Sequence, residues 1–100
     1  MGAYDAFKQQ VVDTAQRLVA GGYLKGTGGN VSLRVAGHDA FAITPSNYDY
    51  TRMVPEDVCV LDWQLHVIEG ARKPSIESAL HAVVYQARAD FSIHPVADAT

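Results

Sequence analysis

The sequence predicts an α/β domain, and three observations carry that expectation. Apolar residues recur at helical spacing in two stretches, residues 3–20 and 75–88. Four short apolar runs separated by turn formers lie between them, in the pattern of two hairpins. A further apolar run, holding His94, follows the second helix. The order is helix, hairpin, hairpin, helix, strand. No repeat, low-complexity tract or linker interrupts it, so a single domain is expected over residues 1–100.

The first helix is predicted over residues 3–20, with Phe7, Val11, Ala15, Leu18 and Val19 on one side and Lys8, Gln9, Asp13, Gln16 and Arg17 elsewhere. Gly21 and Gly22 supply the stop, because glycine adopts the left-handed conformation that ends helices. Residues 31–35 alternate apolar and polar as a half-buried strand does, and residues 41–44 follow after the turn at Gly37, His38 and Asp39. A second hairpin is predicted from residues 58–62 and 65–69, entered by the turn Pro55, Glu56, Asp57 and closed by Gly70. The second helix is predicted to start at an N-cap, Ser75, and to turn Ile76, Leu80, Val83, Val84 and Ala87 toward the core.

Composition narrows the function classes. The chain has 100 residues, 48% of them hydrophobic, and a net charge of -3, with its eight Lys and Arg scattered. That pattern provides no basic stripe for nucleic acid and no polybasic membrane patch. Small metabolites at one local site fit better. The lone Cys59 excludes an internal disulfide and fits a reducing, cytoplasmic setting. The start MGAYDAFKQQ lacks the order of a secretory signal, and no apolar run reaches membrane-spanning length.

Three polar stretches are candidates for ligand contact. In residues 26–30, Gly26, Gly28 and Gly29 permit close backbone approach, and Asn30 adds an amide that both donates and accepts. The same loop also reads as a strained structural turn. Its glycines follow neither the P-loop nor the dinucleotide pattern, and it leads into a strand rather than a helix. Residues 44–50 form a loop of hydroxyl and amide groups around Ser46 and Asn47, suited to an anion or simply to solvent. At the start of the second helix, Ser75, Glu77 and Ser78 stand where unpaired N–H groups and partial positive charge favour an anion.

Read together, residues 26–32 (GTGGNVS), 43–46 (ITPS), 74–78 (PSIES) with Leu80 and His81, and 87–90 (ARAD) before a histidine resemble the class II aldolase/adducin family. Members include fuculose-phosphate and rhamnulose-phosphate aldolases and ribulose-phosphate 4-epimerase. The resemblance implies a three-layer α/β/α domain with a mostly antiparallel central sheet flanked by helices, here incomplete at the C-terminus. It implies a sugar-phosphate aldolase or epimerase acting through a metal-stabilised enediolate, with a divalent metal, commonly zinc, and assembly into a homotetramer. A phosphorylated sugar is the implied partner. By the same resemblance, Gly28, Gly29 and Asn30 form one substrate loop, Ser46 and Asn47 a second phosphate loop, Ser75 a third contact, and Glu77 the catalytic acid/base.

The resemblance also has departures. Ile76 stands where the family carries a second serine, which removes one hydroxyl. His94 stands for one histidine of the family's His-x-His metal pair, and one imidazole does not make a catalytic zinc site. A non-catalytic, adducin-like interaction module is therefore the alternative reading. Taken alone, His94 reads as a core or strand-end residue, Glu77 as a favourable first-turn charge, and His81 as a packing or hydrogen-bonding group. Tyr48, Asp49 and Tyr50 read as a solvated loop.

Overall fold

The computed structural model describes residues 2–24 and 29–87, together with the backbone of a strand at residues 93–96. Helix α1 spans Asp5–Ala20. Strands β1 (Asn30–Arg34) and β2 (Ala40–Ile43) form the first hairpin, and β3 (Cys59–Asp62) and β4 (Val67–Glu69) the second. Helix α2 (Ser78–Ala87) and strand β5 (Ile93–Val96) follow. Among the described residues the strands make one sheet in the order β4-β3-β2-β1-β5, antiparallel at every pairing.

Cross-strand register decides which residues share a face. Leu33 lies opposite Ala42, which lies opposite Val60. These three join Val31, Val35 and Ala40 in a core closed by Val11, Val12 and Ala15 of α1. On the other face, Ser32, Ile43 and Cys59 stand in one row, and Arg34, Phe41 and Leu61 in the next. Phe41, Ile43, Cys59 and Leu61 pack against Ala82 and Tyr85 of α2. One helix on each side makes the three-layer α/β/α arrangement. Each fully buried Phe, Ile or Leu side chain in these cores is worth about 1.5–3 kcal/mol.

Helix α1 stops as expected. Gly22 adopts φ 81°, while its N–H donates to the Val19 carbonyl at 3.1 Å and that of Tyr23 to the Leu18 carbonyl at 2.8 Å. These two bonds satisfy carbonyls that the helix end would otherwise strand. Lys8, expected on the solvent side, is instead buried and ion-paired with Glu69 on β4. Its long stem covers apolar surface while its charge meets a carboxylate.

Helix α2 overturns the expected facing. Ile76 is 82% exposed, Val83 61% and Leu80 46%, whereas the buried residues are Ser78, His81, Ala82 and Tyr85. The cause lies in the sheet beneath it. Strand β1 presents Asn30, Ser32 and Arg34 to this side, and such groups need hydrogen-bond partners more than they need hydrocarbon. His81 and Tyr85 supply them. Arg34 is held between the rings of Trp63 and Tyr85, 5.3 and 5.2 Å from their centroids.

Candidate functional site

Three chain segments meet beside the start of α2. The chain leaving β2 runs antiparallel to the chain entering α2: Pro45 bridges Pro74, the Ser46 N–H donates to the Lys73 carbonyl at 2.9 Å, and the Ser75 N–H donates to the Thr44 carbonyl at 3.2 Å. This pairing holds residues 44–46 against residues 73–75. The Val31 N–H donates to Thr44 Oγ1 at 3.2 Å, which brings the beginning of β1 to the same place.

Tyr50 locks the junction. It is 2% exposed, and its hydroxyl donates to the Gly29 carbonyl at 2.5 Å and lies 3.1 Å from Thr44 Oγ1. The expectation of a solvated loop therefore fails at Tyr50, whose ring fills the core under α1. Burial pushes its phenol above the ordinary value, with the Thr44 contact opposing. Asn47 is left-handed, at φ 52°, a conformation that asparagine tolerates better than most residues.

The result is a cleft of about 160 Å³ lined by Gly29, Asn30, Ser46, Asn47, Ser75 and Glu77, with Pro45 and Ile76 completing its wall. Small-molecule sites usually measure about 300–1,000 Å³, so this space suits one small polar group of a ligand. Donors are available along it. The Ser46 hydroxyl, the Asn47 N–H and the Ile76 N–H have no hydrogen-bond partner among the described residues. Ser75 Oγ accepts from the Glu77 N–H at 3.1 Å, the bond expected of an N-cap, although regular helix begins only at Ser78. Glu77 lies half-buried on the cleft wall, with no ion pair among the described residues.

Behind the cleft, Asp57 and Arg72 brace the approach to residue 73. Arg72 Nε donates to Asp57 Oδ1 at 2.6 Å, and the guanidinium lies 4.2 Å from the centre of the Tyr48 ring. Burial would raise the Asp57 carboxyl. Hydrogen bonds from Arg72, the Val54 N–H and Tyr48 outweigh it and hold the group below its ordinary value.

Of the residues expected at a site, Gly29, Asn30, Ser46, Asn47, Ser75 and Glu77 are thus brought together. Gly28 lies outside the described residues. His94 is described through its backbone, which places it opposite Ser32 in the β1–β5 register; its side chain lies outside the described residues. Pro45 on the wall and Tyr50 beneath it were not anticipated, whereas Ile76, expected to turn toward the core, stands on the wall. Nothing local distinguishes a buried tyrosine in a polar loop; its burial depends on the core under α1 and on the Gly29 carbonyl, both distant in sequence.

Residues 9–95 match the Class II Aldolase and Adducin N-terminal domain. The chain belongs to that family. A 5-deoxy-D-ribulose 1-phosphate aldolase of Bacillus thuringiensis serovar kurstaki is 38% identical over 85 residues, which cover 85% of this chain and 40% of that protein. An L-ribulose-5-phosphate 4-epimerase of Salmonella paratyphi C is 37% identical over 79 residues, covering 79% of this chain and 35% of the epimerase. The solved structure of an L-fuculose 1-phosphate aldolase superposes with a TM-score of 0.85 at 35% identity, over 92% of this chain and 45% of the aldolase's. This member of the class II aldolase and adducin family therefore spans less than half the length of these relatives.

Membership implies a divalent metal. Among the described residues, no three His, Cys, Asp or Glu side chains are grouped so as to hold one, so these residues by themselves do not fit the ion. Nor is any helix among them long and apolar enough to cross a membrane.

Proposed function

We propose that this chain forms the substrate-head-group half of a metal-dependent sugar-phosphate aldolase or epimerase. One observation carries the reading: donors from three separate segments and the Glu77 carboxylate line the same small cleft. A phosphate needs several converging donors, and the start of a helix adds partial positive charge beside them. In this reading Gly28, Gly29, Asn30, Ser46, Asn47 and Ser75 hold the phosphate. Glu77, on the same wall, takes a proton from the substrate and returns it as general base and acid. The named activities of the relatives, aldol cleavage and 4-epimerisation of sugar phosphates, support the substrate class.

The divalent metal is proposed to be zinc, with His94 as one ligand. Because a catalytic zinc usually takes three protein ligands, calorimetric titration of this chain with zinc should show weak binding. A tight stoichiometric site would mean that the chain carries its own ligand set. We also propose a cytoplasmic homo-oligomer, a tetramer, supported by the single, buried Cys59 and by the exposed apolar residues Ile76, just before α2, and Leu80 and Val83 on it. In an active protein carrying this domain, Glu77→Gln should lower turnover about a hundredfold or more while sparing substrate affinity. Unchanged turnover would remove Glu77 from proton transfer.

A further inference from the structure

Beneath the cleft lies a chain of buried polar groups of which the proposed reaction uses only Asn30. His81 is fully buried, one helical turn beyond Glu77. Its Nδ1 lies 2.6 Å from Ser32 Oγ, which lies 2.7 Å from the Tyr85 hydroxyl. Its Nε2 meets Oδ1 of Asn30, a residue 4% exposed that also lines the cleft. An amide oxygen can only accept a hydrogen bond, so Nε2 carries the hydrogen in this pair. With the ring neutral, Nδ1 accepts from the Ser32 hydroxyl, and Ser32 in turn accepts from Tyr85. Donor and acceptor directions then agree across these three bonds. They leave the Asn30 Nδ2 group, which has no other partner among the described residues, as the face of the amide turned away from the helix.

We propose that His81 is a positioning residue. Held by Ser32 and Tyr85, its Nε2–H captures the Asn30 oxygen and so fixes Asn30 with its amide hydrogens presented to an anion in the cleft. The inference rests on the anion-cleft reading above and adds the device that sets the polarity of one of its donors. Unfixed, an asparagine amide can turn its oxygen toward the ligand, where it would repel a phosphate; buried and paired, it cannot do so without breaking the network.

Two variants separate positioning from packing. Glutamine places its amide near the position of Nε2 and can keep the bond to Asn30; asparagine reaches only the position of Nδ1 and keeps the bond to Ser32. In titrations of this chain with inorganic phosphate, His81→Asn should weaken affinity about tenfold, the loss of one well-placed donor, and His81→Gln by no more than about threefold. Equal losses in both variants, or none in His81→Asn, would overturn the proposal. Nitrogen-15 NMR of the wild-type chain gives a second readout that needs no variant to fold. The Nε2–H tautomer, with scalar coupling from Nε2–H to the Asn30 side chain, is expected, and the Nδ1–H tautomer would overturn the proposed orientation. If phosphate leaves the wild-type spectrum unchanged, the anion-site reading fails, while the tautomer still decides whether His81 orients Asn30.

Discussion

Asp57 shows how single groups stabilise the ground under the cleft. Its carboxyl is held below the ordinary aspartate value in the folded chain, so the folded state binds the proton less readily than the unfolded state does. The resulting stability is fully present above the unfolded pKa, about 3.9. It falls as pH drops through that value and is gone below the depressed folded value. Urea unfolding of wild type and Asp57→Asn at a series of pH values should show the wild type losing more stability on acidification, with a gap of about 2 kcal/mol near neutral pH. Parallel acid profiles would contradict the assigned bonds. Tyr50 allows a similar test, because Tyr50→Phe keeps the ring and removes the bond to the Gly29 carbonyl. About 1 kcal/mol should be lost in thermal unfolding.

At the scale of elements, α2 separates what the sequence can disclose from what it cannot. The N-cap at Ser75 is legible because capping depends on a side chain and a backbone two residues away. Ser75→Ala should cost about 1 kcal/mol, read as a shift in the urea midpoint. The buried side of α2 was not legible. Ile76, Leu80 and Val83 form a proper apolar stripe, and periodicity alone assigns such a stripe to the core. What decided the matter was the polar row Asn30, Ser32 and Arg34 on β1, some fifty residues earlier in the chain, which binds His81 and Tyr85. Leu80→Asp should therefore change the stability of this chain by less than about 0.5 kcal/mol, as a surface substitution does. A loss of 2 kcal/mol or more in the monomer, the cost of disrupting a core position, would place Leu80 inside.

Across the whole molecule, the hairpins and both helices were readable because alternation and helical spacing are local consequences of burial. The cleft was readable in part. Hydroxyl and amide residues marked its loops, but their convergence depends on the pairing of residues 44–46 with 73–75, for which neither segment carries a local signal. Tyr50 was missed because the groups that bury it, the core under α1 and the Gly29 carbonyl, are distant in sequence. The central claim is that this junction receives a phosphate, and the most direct test is a map of amide shifts as inorganic phosphate is added to the nitrogen-15-labelled chain. The account predicts saturable shifts concentrated at Gly29, Asn30, Ser46, Asn47, Ile76 and Glu77, weakened by raised chloride as an electrostatic site should be. Shifts centred on α1 or on the β4 edge, with those six residues unmoved, would contradict it.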